Sequence, residues 1–140
     1  MEPELVAPCG MNCNVCSAYL AFSSGIPKKR GKINHCKGCL PREKNCAFLK
    51  KHCSKIGDGK LRFCFECSTF PCERLEKIDA RYRERYGISF IENLKEIEKK
   101  GVDGFLRVQK KVFECDKCGG TISVHNGKCY GCEEIRSWKG

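Results

Sequence analysis

The chain has 140 residues, carries a formal net charge of +10 and contains 14 cysteines. This length suits a small domain, and no apolar run approaches the ~18 residues of a membrane span. The first residues also lack the basic start and apolar stretch of a secretory signal peptide. Because cysteines outside the secretory pathway stay reduced, so many of them indicate metal ligands, and we expect a cytoplasmic protein that does not bind membranes.

Bound zinc would lower the net charge. An ion held by four thiolates adds a net −2, so two or three such sites reduce +10 to about +6 or +4. Residues 1–72 hold 12 basic and 5 acidic side chains, including a short basic run of Lys28, Lys29, Arg30 and Lys32. This run is a candidate contact for nucleic acid or an acidic protein, although ordinary solvated loops have the same composition.

The first three cysteines, Cys9, Cys13 and Cys16, have the spacing that radical SAM enzymes use to hold a [4Fe–4S] cluster. Those enzymes need a large barrel, and this chain lacks both the length and the alternation of strands and helices. The spacing therefore predicts metal, either zinc or a cluster without radical chemistry. A short helix is expected from Cys13 through Phe22.

Four cysteines with short gaps form a second group, which can complete one zinc site by itself: Cys36, Cys39, Cys46 and Cys53. His35 and His52 lie beside this group and could replace a cysteine, although second-shell or surface positions are more common for such histidines. The main competing interpretation pairs the first two cysteines of the group with the Cys-x-x-Cys motif that follows.

That motif, Cys64 to Cys67, is followed by Cys72. A thioredoxin-like redox pair would require a helix directly at the first cysteine, but Phe70 and Pro71 interrupt the chain just after the motif, so a metal knuckle is favoured. Six cysteines then remain, which could hold one zinc, two zincs with shared sulfurs, or one iron–sulfur cluster: Cys9, Cys13, Cys16, Cys64, Cys67 and Cys72.

Residues 73–113 contain no cysteine and read as helical. A first helix is expected to end at Gly87. Its apolar stripe consists of Leu75, Ile78, Tyr82 and Tyr86. Ser89 is a plausible cap for a second helix that ends at Gly101, and Asp103 for a third. The arginines at 81, 83 and 85 are expected to spread around a solvated helix surface.

The last four cysteines form two Cys-x-x-Cys pairs separated by ten residues: Cys115, Cys118, Cys129 and Cys132. Such pairs can direct four thiolates at one zinc ion. Thr121 to Val124 is strand-like, and Asn126 with Gly127 is a two-residue turn signal, so the segment predicts a zinc-ribbon hairpin. His125 is expected to lie outside the metal's first shell.

Together these patterns predict a small metal-stabilised α+β protein. An irregular cysteine-rich segment precedes a helical middle, and both form one domain, residues 1–113; residues 114–140 form the zinc ribbon. Two to four zinc ions are expected, with three the best-fitting number, because the apolar sequence alone gives a thin core.

The ordered cysteines and the Phe70-Pro71-Cys72 element resemble an uncharacterised cysteine-rich family of bacteria and archaea, which is presumed to bind zinc. The resemblance covers residues 7–113, and the ribbon is similar to a carboxyl-terminal extension of some members. The resemblance implies metal binding and does not imply any activity.

No metalloenzyme pattern is present: the three histidines form no His-x-x-x-His array, and the sequence shows no phosphate-binding loop. The sequence therefore favours a non-catalytic multi-zinc protein that presents a basic surface to a protein or a nucleic acid. The alternative is an iron–sulfur redox or electron-transfer protein with a cluster on the amino-terminal cysteines.

Overall fold

The computed structural model of the protein describes residues 1–37 and 62–133. Within these ranges the chain forms three α-helices: α1 (Ser17–Ser23), α2 (Glu73–Tyr86) and α3 (Phe90–Val112). Short 3-10 turns occupy Pro3–Leu5, Cys13–Val15 and Cys64–Glu66. The β-structure of the described residues consists of isolated antiparallel bridges, so the protein is small and helical with little strand.

Helix α2 ends and helix α3 begins where their capping residues predict. Gly87 ends α2 in the left-handed conformation, with φ of 68°, and the Ser89 side chain accepts a hydrogen bond from the backbone N–H of Glu92 at 3.1 Å. The helices predicted on either side of Gly101 form one element. Gly101 alone is non-helical, with φ of 75° and ψ of 167°, so it interrupts α3 without starting a loop.

The predicted helix from Cys13 through Phe22 is shorter than expected. The Asn12 side chain accepts a hydrogen bond from the backbone of Asn14, which favours a 3-10 turn, and Cys16 is extended before α1 starts at Ser17. Phe22, near the end of α1, is 40% exposed.

The main core joins the amino-terminal segment to α2 and α3. The amino-terminal segment contributes several small residues and cysteines to this core, and the helices contribute larger side chains. The buried members are Leu5, Val6, Ala7, Cys9, Met11, Cys13, Phe63, Leu75, Phe90, Leu94, Ile97, Phe105 and Leu106. A second cluster joins α1 to the carboxyl-terminal segment: Leu20, Ala21, Ile33 and Tyr130. Contacts therefore cross the predicted boundary between residues 113 and 114, although the division into two domains stays a prediction.

A buried carboxylate fixes the turn between α2 and α3. Asp79 accepts hydrogen bonds from the backbone N–H of Ile91 at 3.0 Å, from the Ser89 hydroxyl at 2.7 Å and from Arg83 Nε at 2.6 Å. Burial raises the pKa of Asp79, but these hydrogen bonds and the charge of Arg83 outweigh it and hold the pKa below its usual value. The start of α3 is thereby tied to α2.

Gly10 brings the amino-terminal backbone against α3. Its φ is 94°, and a Cβ at this position would lie 2.5 Å from the Phe90 carbonyl oxygen and 2.9 Å from Leu94 Cγ. The Asn93 side chain donates a hydrogen bond to the Gly10 carbonyl at 2.9 Å. Only glycine allows this contact, both for its backbone angle and for its lack of a side chain.

We predict that Gly10→Ala will destabilise the protein more than Gly25→Ala. Both glycines have positive φ, but a Cβ at Gly25 would meet nothing within 4 Å. Each substitution carries the ~1–2 kcal/mol of a left-handed backbone, and the collision with α3 should add about 1–3 kcal/mol for Gly10→Ala. Denaturant unfolding measures both; equal losses would contradict the close approach.

Candidate metal centre

Four thiols converge after the end of α3. The sulfur atoms of Cys115, Cys118, Cys129 and Cys132 all lie within 4.8 Å of one another. The distance from Cys118 Sγ to Cys129 Sγ is 3.4 Å, and that from Cys115 Sγ to Cys132 Sγ is 3.8 Å. Sulfurs around a tetrahedral zinc, at ~2.3 Å from the metal, are about 3.8 Å apart. The four cysteines could therefore hold one metal ion.

Two glycines let the backbone pass close to these sulfurs. A Cβ at Gly120 would lie 3.1 Å from the sulfurs of both Cys118 and Cys129, and one at Gly131 would lie 3.1 Å from that of Cys118. The Gly120 carbonyl accepts a hydrogen bond from the backbone N–H of Cys115 at 2.8 Å. Side chains at either glycine would press on the thiols, so the tight loops depend on glycine here.

Backbone N–H groups point at the sulfurs. Gly120 donates to Cys118 Sγ and Gly131 donates to Cys129 Sγ, each at 3.3 Å. Burial raises the pKa of Cys129, but hydrogen bonds from the backbones of Gly131 and Cys132 help to lower it to about 7. The neighbouring thiols raise the pKa of Cys132 to about 12. The loops therefore favour a negative sulfur, while crowding opposes several thiolates unless a cation joins them.

The backbone between the two cysteine pairs is less regular than predicted. Two isolated bridges pair Thr121 with Glu114 and Ile122 with Cys129, in place of the strand expected from Thr121 to Val124. The chain turns here over more than the two residues predicted: Gly127 has φ of 67° but Asn126 does not have positive φ, and the Gly127 N–H donates to the Ser123 carbonyl at 2.9 Å. The segment thus doubles back and brings its cysteine pairs together without an extended ladder.

His125 lies away from the four thiols and joins three parts of the chain. Its Nδ1 accepts a hydrogen bond from the backbone N–H of Ser17 at 3.2 Å, and its Nε2 lies 3.1 Å from the Tyr82 hydroxyl. Its ring also makes an edge contact with Tyr86 at 5.0 Å between centroids. Burial lowers the pKa of His125 to about 4. A neutral imidazole therefore links α1, α2 and the carboxyl-terminal segment.

The Ser17–His125–Tyr82 contact resembles a nucleophile and base only in its residue types. Ser17 is fully buried, so its hydroxyl cannot meet a substrate. Sequence reasoning missed this contact because its partners are 108 and 43 positions apart and no local pattern connects them. Tyr130, which packs on α1, was missed for the same reason.

The amino-terminal cysteines are distributed over the core and its edge. Cys9 and Cys13 are buried, Cys72 is exposed, and Cys64 joins the first segment through a 2.9 Å hydrogen bond from its N–H to the Pro8 carbonyl. Cys67 Sγ lies 3.1 Å from the Thr69 hydroxyl. In residues 1–37 and 62–133 the four carboxyl-terminal thiols are the one group of three or more ligand atoms within 4.8 Å. Sharing of a metal among the six remaining cysteines stays a prediction.

Two cysteines from different predicted groups are neighbours. The N–H of Cys36 donates to the Ala18 carbonyl at 3.2 Å, which places it beside the start of α1. Burial raises the pKa of Cys16, and the charge of Cys36 raises it further. The other predicted members of the second zinc site, Cys39, Cys46 and Cys53, lie outside the described residues, as does His52.

The predicted basic run lies in an exposed turn. Lys29 and Ile33 form an isolated bridge, Gly31 between them has φ of 73°, and the four basic side chains are exposed: Lys28, Lys29, Arg30 and Lys32. His35, the histidine beside the second cysteine group, contacts the Ile26 carbonyl through its Nε2.

Comparison with known proteins places the chain in a family. The model of a family described as "Protein of unknown function (DUF3795)" matches residues 5–77, which is just over half of the chain. The protein therefore belongs to the DUF3795 family. No curated protein sequence and no solved structure matches the chain significantly.

None of the helices in the described ranges has the length and apolar character required to cross a membrane.

We predict that His125 makes the protein less stable in mild acid. Its pKa is about 4 in the folded protein and near 6.5 in the unfolded chain, so the unfolded chain takes up the proton first. Stability should fall as the pH drops from about 6.5 towards 4, with about 1 kcal/mol lost between pH 7 and 5.5.

Urea unfolding with excess zinc at pH 7 and at pH 5.5 measures this change in stability. His125→Gln removes the titrating group but keeps a polar side chain, so its stability should change less over the same interval. Protonation of the cysteines affects both proteins alike. An identical pH dependence in the two would show that His125 is not held neutral.

Proposed function

We propose that this protein is a non-catalytic zinc protein whose carboxyl-terminal segment is a zinc ribbon. The observation that supports this function best is the convergence of Cys115, Cys118, Cys129 and Cys132, with sulfur–sulfur distances of 3.4 and 3.8 Å in two of the pairs. Four sulfur ligands favour zinc among the common divalent ions, and they complete its coordination. A closed site of this kind stabilises a fold and leaves no position for a substrate.

The ribbon's zinc would stabilise more than its own loops. Tyr130, which immediately follows one of the ligands, is buried against Leu20 and Ala21 of α1, and the N–H of Val124 donates to the Val15 carbonyl at 3.0 Å. Fixing Cys129 therefore holds Tyr130 in the second cluster. Zinc binding contributes on the order of 10–16 kcal/mol in small zinc peptides, which is as large as the stability of a whole domain.

Further zinc ions on the amino-terminal cysteines complete the proposal. The cysteines around Cys36 would hold a second ion, and a third would bind among the six that include Cys9 and Cys64. The hydrogen bond from the Cys64 N–H to the Pro8 carbonyl supports the last assignment, since it brings the two parts of this group together. Such sites need reduced thiols, so we expect the protein in the cytoplasm.

A zinc-stabilised fold without a reaction site is best suited to binding another macromolecule. The exposed turn with Lys28, Lys29 and Arg30 and the net positive charge both favour an acidic partner, either a protein or a nucleic acid.

We predict that Cys118→Ser will lower the zinc content by one ion per chain and loosen the packing of Tyr130 on α1. Asp116→Ser is the matched control, because Asp116 is exposed in the same loop and offers no sulfur. Metal analysis gives the stoichiometry, and tyrosine fluorescence with near-ultraviolet circular dichroism reports the packing. Full zinc content in Cys118→Ser would exclude the ribbon site, whereas loss of every ion would mean that the sites fold as one unit.

We also predict that protein purified without oxygen is colourless. An iron–sulfur cluster on the amino-terminal cysteines would absorb near ~400 nm, whereas zinc thiolates do not. Absorption spectra and iron analysis of the same sample as the zinc measurement separate the two. A brown protein with stoichiometric iron and sulfide would replace the zinc interpretation of residues 1–72 with the redox alternative.

A further inference from the structure

Three arginines of helix α2 lie in line along its surface. Arg74, Arg81 and Arg85 are seven and four residues apart, so at ~100° per residue they fall within about 40° of one another around the helix. We call this set the arginine row. All three are exposed. The row spans about 16 Å of the helix axis, since each residue adds 1.5 Å. The series expected to spread around the helix was Arg81, Arg83 and Arg85, and its middle member lies about 180° from the centre of the row.

The third arginine of the alternating series, Arg83, has a different role. It donates to Asp79 at 2.6 Å and to the Ser89 hydroxyl at 2.9 Å, so it belongs to the junction between α2 and α3. Arg81 and Arg85, by contrast, form no ion pair within residues 1–37 and 62–133. Their guanidinium groups can therefore bind an external anion without giving up a contact of the fold.

Acidic side chains on α2 lie on another flank. Glu73, Glu76 and Glu84 are at least about 80° from the centre of the row around the helix. Glu73 also pairs with Lys77 at 3.2 Å. Three of the five cations of α2 thus lie along one line, and the exposed carboxylates lie beside it. This separation gives a linear positive surface that the total charge of the helix does not reveal.

The chemistry of the row favours phosphates over an acidic protein. Guanidinium groups match phosphate oxygens in a two-pronged geometry. Protein interfaces instead depend on apolar or aromatic anchors that become buried. The large apolar side chains that the described residues expose are Phe22, Val108 and Val112, none of which belongs to α2. A line of cations without an anchor suits a surface that offers only charge.

Among nucleic acids, the row best suits duplex DNA. Single-strand binders stack bases on exposed aromatic rings, but Tyr82 and Tyr86 of α2 pack around His125. Double-stranded RNA is recognised partly through its 2′-hydroxyls, and α2 contains no serine, threonine, asparagine or glutamine to contact them. Duplex DNA presents one phosphate charge per ~1.7 Å of its axis, so several lie within reach of a 16 Å row.

We infer that the arginine row of α2 binds the phosphate backbone of double-stranded DNA without reading its sequence. This inference rests on the proposed function, since it names the partner of a zinc-stabilised binding module. The proposed contact is electrostatic, so its strength should depend steeply on salt concentration.

The test uses the full-length, zinc-loaded protein and fluorescence anisotropy with a labelled 20-base-pair DNA duplex at several salt concentrations. Arg81→Gln with Arg85→Gln should bind about fivefold to tenfold more weakly at low salt. It should also reduce the slope of log affinity against log salt by about 1.8, the value for two lost phosphate contacts. Lys110→Gln with Lys111→Gln is the control, because these exposed lysines carry the same charge on a different helix, α3.

Several outcomes would overturn the inference. Equal weakening in the two double variants would mean that DNA responds only to net charge. Tighter binding to double-stranded RNA, to a single strand or to polyglutamate would assign the row to another partner. Metal analysis of the same samples keeps the two proposals separate: zinc-bound, folded protein that fails to bind DNA contradicts only this inference, whereas a missing ribbon zinc contradicts the proposed function.

Discussion

The four thiols of the carboxyl-terminal segment impose the constraint on which much of the structure depends. Sulfurs held within 4.8 Å of one another cannot all carry negative charge without a cation between them. The loops nevertheless direct N–H groups at two of the sulfurs, and glycines at 120 and 131 leave space for that approach. A backbone arranged in this way is stable when a metal supplies the missing positive charge. For the zinc site that we propose, metal binding and the folding of this segment would therefore be one process.

The consequences of that constraint extend into the amino-terminal part of the protein. Tyr130 follows Cys129 and packs in the second cluster, while His125 accepts a hydrogen bond from the Ser17 N–H and lies 3.1 Å from the Tyr82 hydroxyl. The carboxyl-terminal segment thus contacts both α1 and α2. The same packing buries His125, and this burial lowers its pKa to about 4.

The sequence predicted the features that depend on local chemistry. Gly87 ends α2 and Ser89 caps α3, because these residue types satisfy helix ends by their own geometry. The four-thiol group was also predictable, since both Cys-x-x-Cys pairs lie within 18 residues. Contacts between distant residues were not: nothing near Asp79 in sequence indicates that it accepts from Ile91, and nothing near Gly10 indicates α3. The helix expected from Cys13 starts only at Ser17, because the Asn12 side chain favours a 3-10 turn over Cys13–Val15.

The family match divides the chain at residue 77. The match ends at residue 77, so it contains the amino-terminal cysteines and Gly10 but excludes Arg81, Arg85, His125 and the four-thiol group. Of the arginine row, the matched segment therefore holds only Arg74, and it contains neither glycine whose N–H donates to the four thiols. Helix α2 crosses this boundary: Leu75 is buried in the core, while Arg81 and Arg85 lie exposed beyond the match. The matched segment and the residues beyond it therefore build one core, in which Leu75 packs with Phe90 and Leu94, and the arginine row crosses the same boundary on helix α2.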